Sequence, residues 1–151
     1  MEFNPAHWHL IFNHLPIVGG MFASLILAYA IIRKNKSIIQ LSYMLIVLCA
    51  ITSIIASYTG EEAEHYIEGV MKVDKVILEE HVQAADIANY SMIAVGIISL
   101  LALFIAKIKD YKYTATIILI LLLIVTAQMI NVGNLGGDIM HTEIRGDNIL
   151  P

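Results

Sequence analysis

The chain has 151 residues, 58% of them hydrophobic and only 15% charged. A soluble domain carries about 25% charged residues, so an ordinary water-soluble fold is excluded. With nine Lys and Arg against thirteen Asp and Glu, so is the basic surface that nucleic acid needs, and the single Cys49 rules out an intrachain disulfide.

Four stretches carry no Asp, Glu, Lys or Arg: from Glu2 to Arg33, 37–60, 87–106 and 113–137. Each meets the requirement of about 20 mostly apolar residues for a spanning helix. The pattern predicts four transmembrane helices, at roughly 10–32, 38–58, 84–107 and 113–133. The first is too long for a signal-peptide core, and Glu2 stands where such a peptide would be basic. Between the second and third spans, Glu61–Glu68 favours helix and Gly69 a stop. Asp74 is placed to cap a helix running into the third span. The fold class expected is therefore an all-α integral membrane protein. It is a single four-transmembrane-helix bundle over 1–151, with a helical, acidic extracytoplasmic cap at about 59–83 and an outer tail at 134–151.

Short basic loops stay in the cytoplasm. Arg33, Lys34 and Lys36 follow the first span, and Lys107, Lys109 and Lys112 follow the third, with Asp110 the one acid among them. Both termini are therefore expected on the extracytoplasmic side of a bacterial inner membrane. All six histidines then fall on that side: His7, His9 and His14 at the mouth of the first span, His65 in the cap, His81 before the third span and His141 after the fourth.

Amphipathic rings suit the membrane interface, and His7 beside Trp8 fits that role. Six imidazoles on one side fit a site better, because polar groups at membrane depth face a bundle interior and mark function. Imidazole is the commonest metal ligand and an axial ligand of haem iron. A flat macrocycle needs small residues beside its ligands. His81 has Ala84 and Ala85 at helical spacing, His141 has Gly136 and Gly137, and Gly19 and Gly20 lie below His14; close helix packing uses the same residues. Pro16 removes a backbone donor near His14. Asn13, Asn131 and Asn134 could orient a ring or bind water. A competing chemistry is a mononuclear or dinuclear metal centre. Glu62-x-x-His65 and Asp138-x-x-His141 have the carboxylate–imidazole spacing of bundle half-sites, with Glu80 able to bridge. No phosphate loop, nucleophile elbow or H-E-x-x-H motif is present.

The segment HLIFNHLP, from His9 to Pro16, resembles the H-P-x-x-x-H-x-P opening of the DUF2231 family of bacterial membrane proteins. Thr59-Gly60 after the second span, His81 before the third, and GNLGGDIMH ending at His141 follow in that family's order. Leu10, Leu15 and Thr142 depart from its pattern. The resemblance implies a four-span layout, b-type haem, and His9, His14, His81 and His141 as the histidines that matter. His7 and His65 fall outside it.

His9 and His14 are five residues apart, about 140° around a helix and about 7.5 Å along it. They cannot serve one iron from one face, so two haems, or one haem and a second role, are expected. The function expected is a membrane b-type cytochrome with bis-histidine haem b, an electron-transfer subunit rather than a complete enzyme. Its partners would be the lipid bilayer and a membrane or extracytoplasmic redox protein, with quinol one candidate donor; a homo-oligomer is open. The alternatives are the metal-dependent protein above and a cofactor-free membrane scaffold.

Overall fold

A computed structural model describes residues 4–70, 73–104 and 111–141. The described residues form four helices and no strand: α1 Pro5–Ile32, α2 Lys36–Val70, α3 Lys75–Phe104 and α4 Tyr111–Met140. All four are long and apolar enough to cross a membrane.

Local chemistry sets the helix starts. Asn4 caps α1: its Oδ1 accepts from the backbone N–H of His7 at 3.0 Å, and Pro5 occupies the first turn, where its missing donor costs nothing. Lys34 turns the chain at φ 53°, and Asn35 then caps α2 by accepting from the Ile38 N–H at 3.2 Å. Asp74 accepts from the Val76 N–H at 3.0 Å and opens α3, as its position in the sequence suggests.

Three helices overrun their predicted spans at the end of the bundle that carries the N-terminus, and α1 begins ahead of its own. Hydropathy marks the part of a helix suited to hydrocarbon, not where the helix stops. The run Glu61–Glu68 is rich in good helix formers, so α2 continues through it and through Gly69 to Val70. At 35 residues, α2 is about 52 Å long, more than a hydrocarbon core of about 30 Å needs. The stretch expected as a cap is thus made by the end of α2 and the start of α3. Lys107, Lys109, Asp110 and the tail beyond His141 lie outside the described residues.

Each helix packs against its chain neighbours, and α4 closes back on α1, so α1 and α3 stand on the diagonal of the bundle. Between 28% and 39% of each apolar window is buried. The remainder presents large apolar side chains outward, among them Phe22, Leu25, Ile32 and Phe104, as a lipid-facing surface requires. Leu27, Ile46, Met92, Ile118 and Leu122 fill the core with no exposure. Gly96 allows α3 to meet α2 closely: a Cβ there would run into that of Ala50.

Candidate functional site

The residues that face the bundle axis at the end carrying the N-terminus include two of the six histidines. His9, on α1, is half-buried, and its Nδ1 lies 3.1 Å from the carbonyl oxygen of Ala56 on α2. Its ring lies against Gly60, where a Cβ would approach Cε1 to 3.1 Å and Nδ1 to 3.2 Å. His81, on α3, is also half-buried, and its Nδ1 lies 3.1 Å from the carbonyl oxygen of Val132 on α4. Its ring lies against Gly136, where a Cβ would approach Cε1 to 3.1 Å.

The two arrangements repeat one design. A histidine on one helix bonds a carbonyl on the next helix in the chain, and a glycine four residues beyond that carbonyl clears space for the ring. A carbonyl can only accept, so Nδ1 carries the proton in both rings. In the neutral form each Nε2 is then a bare lone pair. Because α1 and α3 are diagonal, the two rings come from opposite sides of the axis. They lie close enough to interact electrostatically. Thr59 completes the α2 side by donating its hydroxyl to the carbonyls of Ile55 and Ala56 at 3.0 and 3.1 Å.

The other expected site residues are placed differently. His14 is exposed; its Nδ1 lies 2.8 Å from the Leu10 carbonyl of its own helix, so it turns outward. His141 is exposed just past the end of α4, its N–H on the carbonyl of Gly137 at 2.9 Å. His7 is exposed with Nδ1 2.8 Å from Asn4 Oδ1. His65, Glu62 and Glu80 are exposed, and Asp138 is half-buried. Among the described residues no three of His, Cys, Asp and Glu come together as a metal site, so the two half-sites and Glu80 do not converge. Of the polar residues noted beside the histidines, Asn131 and Asn134 are exposed, while Asn13 is half-buried with an inward oxygen.

The carbonyls of Ala56 and Val132 have no signature in the sequence. Gly60 and Gly136 were visible there as glycines but not as the partners of His9 and His81. Gly136 sits near His141 in the chain, yet the ring it accommodates is that of His81, across the helix interface.

Comparison with protein families, with curated proteins and with solved structures finds no match for this chain.

Proposed function

We propose that the chain is a membrane cytochrome that holds one haem b between His9 and His81 and carries electrons at the extracytoplasmic face of a bacterial inner membrane. The observation that carries this reading is the matched pair of inward imidazoles on diagonal helices, each with Nδ1 tied to a backbone carbonyl and the ring laid on a glycine. A non-haem zinc or di-iron site needs three or more protein ligands. A haem takes only its two axial ligands from the protein, and two is the number this mouth brings together.

The residues fit such a group. Gly60 and Gly136 are cradles that a Cβ would fill. The carbonyls of Ala56 and Val132 orient the rings and make each Nε2 more basic, the usual work of groups behind a metal-ligating imidazole. Bound haem b supplies one-electron chemistry at the iron. Held by His9 and His81, the group would need no further ligand from a substrate, and the chain would act as a carrier rather than a complete enzyme. His14 and His141 are left for a second role at the rim. Placement of the site outside follows from the basic loops, Arg33 to Lys36 and Lys107 to Lys112. Electrons would pass between a membrane donor such as quinol and an extracytoplasmic partner.

The test is a visible spectrum of protein purified from a haem-competent host. Reduced protein should show the sharp α-band of a low-spin b haem. A colourless protein with stoichiometric iron, zinc or copper would transfer the site to the metal-centre reading, and protein with no cofactor would support a scaffold. Orientation is tested separately in intact cells lacking Cys49: an impermeant thiol reagent should label a cysteine at Glu68 and not one at Asn35.

A further inference from the structure

Beneath the two imidazoles, the bundle axis keeps polar groups that the protein itself does not satisfy. Asn13 lies one turn below His9 on the same face of α1, and its Oδ1 is buried without a hydrogen-bond partner. Pro16, also buried, has no N–H to give the carbonyl of Phe12, so that turn lacks a helical donor. One turn further down, Gly20 faces α4 and α3: a Cβ there would lie 3.1 Å from Thr126 Oγ1 and 3.6 Å from Met92 Cε.

Thr126 is the deciding residue. It is 6% exposed and its hydroxyl has no partner. Most hydroxyls in this bundle are bonded; among the described residues the buried hydroxyl of Ser99, further along α3 and beyond the apolar core, also lacks a partner. Ser24, Ser42, Thr52 and Thr59 each donate to a carbonyl about one turn back in their own helix, and Ser53 donates to Asn89 Oδ1 at 2.7 Å. A hydroxyl that forgoes that bond inside an apolar bundle is costly unless something else accepts and donates there. Apolar cavities stay dry, but a cavity with two or more polar partners holds water.

We propose that a short file of ordered water molecules occupies the axis from Asn13 to Thr126, directly below the histidine pair. The file opens toward the outer mouth and ends blind. Below Gly20 the hydroxyl of Ser24 is already bonded to the Gly20 carbonyl at 2.8 Å, and Leu27, Ile46, Ile118 and Leu122 are fully buried. The waters hydrate the underside of the site and allow a proton to move between it and the outer aqueous phase, without a path to the cytoplasm. This assignment goes beyond the haem reading and stands whether or not haem is bound.

The experiment is hydroxyl-radical footprinting by a short X-ray pulse on the intact protein in lipid nanodiscs. Met92 has no exposed surface, yet lies beside Thr126; it should be oxidised by radicals made from the adjacent water. Met44, 57% exposed but on the apolar outer surface, should stay unlabelled. Thr126→Val, nearly the same shape, should bring Met92 down to the Met44 level, and Thr126→Ser should restore labelling. Unlabelled Met92 in the native protein overturns the proposal, as does equal labelling of Met92 in the native and Thr126→Val proteins. Neither result depends on the haem spectrum, so failure here and failure of the cytochrome reading are told apart.

Discussion

The half of the bundle nearer the α1–α2 turn, called inner below, is closed by Leu27, Ile46, Ile118 and Leu122, each without exposed surface, whereas the half nearer the N-terminus, called outer, turns His9, Asn13 and His81 toward the same axis. The inner half is mostly apolar side chains packed into one another, with the hydroxyls of Ser24 and Ser42 spent on their own helices and that of Ser99 buried without a partner. The outer half uses glycine, carbonyl and imidazole, and sets two rings against a neighbouring backbone. One end is built for density and the other for room. A bundle of four spans needs only the first to hold together, so the second is where function has to be sought.

The comparison is broken most completely by removing either inward ring. If His9 and His81 hold haem as proposed, His9→Ala and His81→Ala should each abolish the low-spin haem spectrum, because each would remove one of two ligands and, among the described residues, no cluster of three His, Cys, Asp or Glu offers a replacement. Full low-spin haem in either variant would rule out the His9–His81 pair. The bundle should still form in both, since neither ring contributes to the inner core; retained thermal stability in detergent would check this.

The converse change is made between α2 and α3. Gly96→Leu forces a side chain into Ala50, and the helices cannot separate without opening the core around Ile46. Overpacking of this kind costs about 3 kcal/mol. The expected outcome is a lowered unfolding midpoint, with any cofactor lost only as a consequence of unfolding. If Gly96→Leu left stability unchanged while removing haem, the division between a structural and a functional half would be wrong.

How much of this division is written in the sequence depends on the level asked about. The spans are legible because hydrocarbon tolerates no charge, and the four charge-free stretches coincide with the apolar parts of α1 to α4. Their ends are less legible, because the residues from Glu61 to Glu68 are polar enough to leave the bilayer and helical enough to continue α2. The gathering of histidines at one end is legible from the order of the four spans. Which of them meet is not. His9 and His14 look alike in the chain, but a rotation of about 140° sends one to the axis and the other to its own helix surface. Gly136 is read along α4 as a neighbour of His141, and only the packing of α3 on α4 makes it the neighbour of His81. Spacing within a helix is local; the partner of a ring is set by which helix lies opposite.

Gly60→Ala and Gly136→Ala probe the cradles without touching the rings. An added Cβ would come to 3.1 Å from Cε1 in both cases, tight enough to push each imidazole a few tenths of an ångström. Disturbing the groups behind a metal ligand costs roughly 10–100-fold in metal affinity. Haem retention in the presence of a competing apo-acceptor should fall by about tenfold to a hundredfold while folding is kept. The matching geometry predicts equal effects at the two sites. An effect at Gly60 alone would mean that the resemblance between the two hairpins is only formal.

Between the halves, the Ser53–Asn89 bond at 2.7 Å links α2 to α3. Interhelical bonds of this kind are worth about 0.6 kcal/mol in a membrane. Ser53→Ala should therefore lower the unfolding midpoint slightly and leave the spectrum intact. A large loss would show that this level of the bundle is not merely a border between a packed end and an open one.

The smallest effect is expected at His14, and it is the most informative about the rim. This ring is held by the Leu10 carbonyl of its own helix at 2.8 Å and is exposed. Turning it to the axis would break that bond and rotate the side chain around α1, past the turn that Pro16 already weakens. His14→Ala should therefore keep the full low-spin haem spectrum and the native unfolding midpoint. His141→Ala, beyond the last turn of α4, should do the same. Both residues belong to the pattern that the DUF2231 resemblance singles out, so the two variants separate that pattern from the geometry. If either lost haem as completely as His9→Ala, the rim would carry a second iron site and the outer half would hold two cofactors. If both keep haem yet slow electron exchange with an extracytoplasmic acceptor, the rim histidines act where the partner docks, and the axial pair alone holds the iron.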